Sequence, residues 1–247
     1  MWPCASRGSS VKRIGKRRNG CVHTAFRYTA RMAWLDTKNS VRDGDFDRRL
    51  RAATRHVTRC DPVVARIARD HGCFDVCTTR SAFQVMLETI ISQQLSTKAS
   101  ASIYGRLRAL MPRGVPRPSH VLVLNDAQLR TSGLSRSKAQ YVRNAAVAFS
   151  SRRFGAAALA HLDDEGVIAR LTEIKGVGEW SAHMFLIFAL HRLDVFPIGD
   201  LGLRNAMKAQ YRLRGAPRDQ RLHRIADAWR PYRTVGTLYL WKSYDVD

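Results

Sequence analysis

From about residue 45 onward, apolar residues recur three and four positions apart with few interruptions. This is the period of a helix with one buried face. Phe83, Met86, Leu87, Ile90 and Ile91 make one such stripe, and Ala99, Ile103, Leu107 and Leu110 make the next. The stretch MPRGVPRPSH, 111–120, breaks the pattern with three prolines. Asn125 is set to cap a short helix ending near Gly133, and Ala139, Val142, Ala146 and Phe149 define the helix after it. Asp163 or Asp164 begins a helix that reaches Leu171. Glu179 begins another, with Ala182, Phe185, Leu186 and Ala189 at i, i+3, i+4 and i+7, and Pro197 and Gly199 stop it. Val, Ile and Thr rarely alternate with polar residues as a half-buried strand requires, so the predicted fold class is all-α.

Composition adds charge to this picture. The 247 residues carry a net charge of +22, which points to a polyanionic partner, with nucleic acid ahead of a membrane surface. Residues 1–31 hold eight Lys or Arg and no Asp or Glu, leaving 22 − 8 = +14 for the remainder, so the body is itself basic. The first 44 residues lack helical or strand periodicity and read as a basic, disordered extension that raises non-specific DNA affinity. An organellar-type presequence, or an over-long start with Met32 as the initiator, are competing readings. No run of 18 apolar residues occurs, and no apolar segment follows the basic start; a soluble chain without a membrane partner, in the cytoplasm or nucleoid, is expected. The five cysteines, at 4, 21, 60, 73 and 77, are scattered, and only Cys73 and Cys77 lie close together. Without a second pair or a His cluster they do not read as a zinc site, so no metal ligands are predicted.

The segment 171–200, LTEIKGVGEWSAHMFLIFALHRLDVFPIGD, carries the chemistry. Gly176 and Gly178 permit a tight bend and leave backbone N–H groups uncovered at the start of a helix, where an anion such as phosphate is attracted. Asp200 follows, a carboxylate in a basic chain beside a phosphate-binding turn, where charge alone disfavours it. Two readings stand: an N-cap for a helix running through Leu201, Leu203, Ala206 and Met207, or a catalytic anion, and one residue can be both.

With the loop Ile90-Ile91-Ser92-Gln93-Gln94-Leu95-Ser96, the turn Gly133-Leu134-Ser135-Arg136-Ser137-Lys138-Ala139 and the C-terminal Trp229-Arg230-Pro231-Tyr232-Arg233-Thr234 through Tyr239-Leu240-Trp241, this segment resembles the helix-hairpin-helix (HhH-GPD) DNA glycosylase superfamily, and within it the 3-methyladenine DNA glycosylase II family. The four matches keep their order over roughly residues 80–245. The resemblance implies two helical lobes with the active site in the cleft between them: a glycosylase domain over 45–247, with 80–195 as the central lobe and 45–79 plus 200–247 as the second. Only 82 residues precede Phe83, part of them in the basic extension, so the mixed α/β domain that some members carry in front is not expected here.

The resemblance further implies a monomeric, monofunctional enzyme acting on double-stranded DNA that contains damaged bases, hydrolysing the N-glycosidic bond of alkylated purines of the 3-methyladenine and 7-methylguanine type. Asp200 would stabilise the positive charge that develops on the sugar. Trp180 stands where bifunctional members place a Schiff-base lysine. Trp180 and Trp241 would wall the base pocket, where their rings favour a cationic base by about 0.5–2 kcal/mol per contact, although both positions also suit core tryptophans. Gln94, beside Gln93, would fill the hole left by a flipped base, against the simpler reading of a solvated helix end. Lys175, Gly176, Gly178, Arg136 and Lys138 would hold the DNA backbone. No cofactor is required; a monovalent cation at the hairpin is implied, whereas the iron-sulfur cluster of some members is excluded because no Cys follows position 77. Two alternatives remain, a mismatch or oxidised-base glycosylase on the same fold and a non-catalytic helix-hairpin-helix DNA-binding protein.

Overall fold

The computed structural model describes residues 44–72, 76 and 80–244. The basic extension, apart from its last residue, lies outside them, as do Cys73 and Cys77. The described residues form thirteen α-helices and no strand. They are α1 (Gly44–Cys60), α2 (Pro62–His71), α3 (Ala82–Ser92), α4 (Thr97–Ala109), α5 (Pro118–Leu122), α6 (Asp126–Thr131), α7 (Arg136–Ser150), α8 (Ala156–Ala160), α9 (Asp164–Thr172), α10 (Glu179–Phe188), α11 (Leu201–Gln210), α12 (Asp219–Asp227) and α13 (Arg233–Tyr244). None of these helices is long and apolar enough to cross a membrane.

Helix starts follow local chemistry. Ser81, Ser96, Asn125, Ser135, Asp163 and Asp200 each accept a first-turn N–H with their own side chain, and Gln84 and Gln128 return the bond to complete capping boxes at α3 and α6. The predicted cap Asn125 and the start at Asp163 are therefore found, and α6 stops at Thr131, just before Gly133.

The strongest helix contacts fall into two sets. In one, α3 packs against α4, α7 and α10, with α5 and α6 on α7 and α9 on α10; in the other, α1, α2, α11 and α12 pack on α13. Helix α3 is the axis of the first set. Val85, Met86, Leu87, Ile90 and Ile91 are all at or below 1 % exposure, and each such side chain contributes about 1.5–3 kcal/mol by leaving water. The α4 stripe is less regular than its sequence suggests. Ile103 and Leu107 are buried, but Ser100 takes the inner place expected for Ala99, and Leu110, past the helix end, is 39 % exposed. The second set closes around Asp61. This buried carboxylate accepts from Val63 N (2.8 Å), Val64 N (3.1 Å), Tyr211 Oη and Trp229 Nε1 (2.8 Å), joining the α1–α2 corner to the ends of α11 and α12.

Helix α10 ends earlier than the stop at Pro197 and Gly199 implied. Its last residue is Phe188. Ala189 N and Leu190 N both return to Phe185 O, His191 takes a left-handed φ of 52°, and Arg192 N reaches Leu186 O. The chain then runs without helix to Asp200, crossing from the first helix set to the second.

Candidate active site

The hairpin between α9 and α10 is built around Gly176. Its φ of 101° is a left-handed conformation that favours glycine, and a Cβ there would lie 2.1 Å from Cγ of Tyr141, so the turn rests directly on that ring. Ile174 N→Leu171 O (3.1 Å) and Val177 N→Ile174 O (2.9 Å) close the turn, and Val177 is buried beneath it. Gly178 is the N-cap of α10, with no side chain on the first-turn amides and nothing within 4 Å of where its Cβ would stand. These amides stand at the positive end of the helix dipole without a capping side chain. Lys175 is exposed at the same edge, and its carbonyl accepts from Asn144 Nδ2 (3.0 Å).

Next to the hairpin lies the loop that begins at Gln93, directly after α3. Gln94 has a φ of 56°, which costs a side-chain-bearing residue about 1–2 kcal/mol, and it is exposed. Gln93 turns inward: its Nε2 donates to Gly176 O and to Ser181 Oγ, both at 3.0 Å. Lys138, on the first turn of α7, donates its amine to Ile91 O (2.7 Å) and Gln93 O (2.6 Å), and burial pushes its pKa down. Lys138 was expected at the DNA backbone and Gln93 among the DNA-binding residues beside the plug; here their amine and amide donate to groups inside the protein. Arg136, at the start of α7, is exposed.

Asp200 stands at the other side, 7 % exposed, at the end of a Pro197–Asp200 turn closed by Asp200 N→Pro197 O (2.8 Å). It is the N-cap of α11: Oδ1 accepts from Leu203 N at 2.6 Å. It does more than cap. Trp180 Nε1 donates to Oδ2 at 2.8 Å and Trp241 Nε1 to Oδ1 at 2.9 Å, so indoles from α10 and α13 hold the carboxylate from two directions. Trp241 is 8 % exposed and stacks on Phe188, with ring centroids 6.2 Å apart and an angle of 19°, whereas Trp180 is half-buried. Among the described residues no group of His, Cys, Asp and Glu could hold a metal ion.

The structure thus brings Asp200, Trp180 and Trp241 into direct contact and gathers Gln93, Lys138, Gly176 and Gly178 into one neighbourhood. The sequence reading missed Tyr141, Asn144, Ser181 and Phe188. A signal for two of them existed: Lys138, Tyr141 and Asn144 recur at i, i+3 and i+6, a slanting row along the edge of the apolar face of α7.

Residues 87–231 match the model of the HhH-GPD superfamily base excision DNA repair protein. The chain is 32 % identical over 166 residues to DNA-3-methyladenine glycosylase 1 of Schizosaccharomyces pombe, covering 66 % of this chain and 73 % of that one. It is 28 % identical over 188 residues to a putative DNA-3-methyladenine glycosylase of Bacillus subtilis, covering 74 % of this chain and 66 % of the relative. Among solved structures, the S. pombe 3-methyladenine DNA glycosylase in complex with abasic DNA superposes with a TM-score of 0.72 at 29 % identity, covering 78 % of this chain and 96 % of that one. A DNA-3-methyladenine glycosidase of Bacillus halodurans gives 0.67 at 34 % identity, with 78 % and 89 % covered. With more than half its length matched by the family model, on an all-helical fold shared with those enzymes, the chain belongs to the HhH-GPD superfamily of base excision DNA repair proteins.

Proposed function

We propose that this protein is a monofunctional DNA glycosylase that releases alkylated purines from double-stranded DNA and leaves an abasic site. The observation that carries the reading is the buried Asp200 carboxylate, fixed by the N–H groups of Trp180 and Trp241 next to an open phosphate-binding turn. A carboxylate held in advance, with its oxygens oriented, needs no rearrangement when positive charge appears on the sugar. The DNA lies across the hairpin, and the flipped nucleotide enters between the two helix sets.

In the reaction the bond between C1′ and the base nitrogen breaks, and its electron pair stays with the base. For a methylated, cationic purine this neutralises the leaving group, so no general acid is required. Water adds to C1′, and its proton passes to Asp200 or to solvent. Trp180 supplies no amine for a Schiff base, which leaves water as the acceptor. Its half-buried ring also suits one wall of the pocket for an electron-poor base. The other reading of Trp241, as a core residue, is favoured by its burial; it then acts on the base only through Asp200. Phosphates are met by the amides after Gly176 and Gly178 and by Lys175 and Arg136, and Gln94 fills the vacated stack.

The monovalent cation implied by the fold would be held by carbonyls of the hairpin. Those of Lys175 and Gly176 already accept from Asn144 and Gln93. Leu171 O and Ile174 O likewise accept from Ile174 N and Val177 N, so an ion there would rest on the second lone pairs of neutral carbonyl oxygens, which fits weak binding of a monovalent ion. No step of the chemistry depends on it. The protein acts as a monomer inside the cell, in the cytoplasm or nucleoid.

The test is base release from methylated duplex DNA, followed by strand scission with and without added alkali. The reading expects free 3-methyladenine and 7-methylguanine, with breaks only after alkali. DNA binding without release of any base would favour a non-catalytic binder, and release confined to mismatched or oxidised bases would replace the substrate class.

A further inference from the structure

We infer that Lys138 and Gln93 are positioning residues that lock the plug loop and the phosphate-binding hairpin into one body, so that the grip on the backbone sets where Gln94 enters the duplex. The inference rests on the glycosylase reading given above.

Helix α3 ends at Ser92, and the last carbonyls of a helix have no partner within it. Lys138 supplies one from outside, with its cation set at the negative end of the helix dipole and two N–H groups on Ile91 O and Gln93 O. Gln93 then uses both protons of its amide, one on Gly176 O in the hairpin and one on Ser181 Oγ, one residue after Trp180. Asn144, six residues beyond Lys138 on α7, holds Lys175 O, and Tyr141 between them supports Gly176. Three DNA-facing segments, from α3, α7 and the α9–α10 hairpin, are thus tied by five hydrogen bonds.

Gln94 follows directly on this knot. Its left-handed backbone is held by Leu95 N→Ser92 O (3.1 Å) on one side and by the bonds at Gln93 on the other. If the hairpin tilts on its phosphate, Gln93 moves with it and Gln94 follows. An amine that meets two carbonyls contributes little to phosphate binding, so Lys138 acts through the loop instead.

The experiment compares the full-length wild type with Lys138→Met, Lys138→Arg and Gln93→Leu. Three quantities are measured: the salt dependence of binding to undamaged duplex, single-turnover excision at saturating enzyme, and 2-aminopurine fluorescence next to the lesion as a report of unstacking. Excision is followed on a lesion opposite its normal partner and on one opposite an abasic site. We expect Lys138→Met and Gln93→Leu to slow excision of the paired lesion about tenfold, through a small misplacement of the plug. Opposite an abasic site, where unstacking is easy, the loss should stay below roughly threefold. The fluorescence rise should shrink in parallel, the salt slope should be unchanged, and Lys138→Arg should recover most of the rate.

A salt slope flattened by about 0.9, with saturated excision intact, would make Lys138 a phosphate contact and overturn the inference. An equal loss on both duplexes would overturn it too, as would full activity of both variants. If one variant fails to fold, the other with Lys138→Arg still decides the matter. If the wild type releases no base at all, the function reading fails, while the fluorescence and salt measurements still test the coupling.

Discussion

Three N–H groups converge on Asp200, so replacing it by asparagine changes more than charge. Oδ1 accepts from Leu203 N and Trp241 Nε1, and Oδ2 from Trp180 Nε1. An amide has one acceptor oxygen, and its NH2 then faces an indole N–H. Asp200→Asn should lose about 1–3 kcal/mol of stability from the unpaired donor, read as a lowered thermal midpoint, while base release falls by several orders of magnitude at a temperature where the variant is folded. Near-wild-type release would remove Asp200 from catalysis. The indoles can be separated from their hydrogen bonds. Trp180→Phe and Trp241→Phe keep an aromatic ring but drop the donor; single-turnover rates should fall about 10–100-fold if the bonds, worth about 1.5–3 kcal/mol each to a charged acceptor, orient the carboxylate. Unchanged rates in both would mean that the rings act by packing alone. At this scale the sequence announced Asp200 by its position after the glycine turn and equally announced its capping role. It could not show that Trp180, 20 residues before it, and Trp241, 41 residues after it, both point at it, because side chains from three helices meet only once those helices are packed.

The two hairpin glycines look alike in the sequence and differ in the fold. Gly176 has a left-handed φ and no room for a methyl group against Tyr141, whereas Gly178 has an ordinary φ of −103° and open space beside it. Gly176→Ala should therefore lower stability by at least about 1–2 kcal/mol from φ alone, with a further penalty from the ring, measured by denaturant unfolding. Gly178→Asp should leave stability level or slightly raised, since Asp is a good N-cap. It should nevertheless weaken binding to lesion and undamaged duplex alike, because it occupies the amides and sets a like charge against phosphate. Loss of affinity only for lesion DNA would show that the turn reads damage and does not simply grip the backbone. Helix starts were legible at this scale because caps are local chemistry. The end of α10 was not. It depends on His191 entering the left-handed region, and no glycine marks the spot. Tyr141 and Asn144 on α7 were passed over for a related reason: beside Lys138 they resemble solvated positions until the hairpin and the end of α3 are laid against them.

For the whole molecule, periodicity and charge indicated an all-helical body with a polyanionic partner, but periodicity does not say which helices share a set. That division follows from long-range packing, such as α1 and α2 on α13, which no local pattern encodes. The assembled molecule also decides whether any amine could replace water as nucleophile. The described residues contain five lysines. Lys138 is bound to carbonyls of the 91–93 segment, and Lys242 is 5 % exposed and donates to Gly72 O at 3.0 Å. Lys175 is exposed on the hairpin, and Lys98 is exposed near the start of α4. Lys208 is exposed in the last turn of α11, about 12 Å along that helix from Asp200. Trp180, whose indole N–H donates to the carboxylate at 2.8 Å, carries no amine. Borohydride added during turnover of lesion DNA should therefore trap no covalent protein–DNA adduct, and strands should stay intact until alkali is added. Lys12, Lys16 and Lys38 lie outside the described residues, so the same assay is run after removal of residues 1–43. Adduct formation that persists in the shortened protein would identify an amine reaching C1′ within the body, and the chemistry would then be that of a lyase.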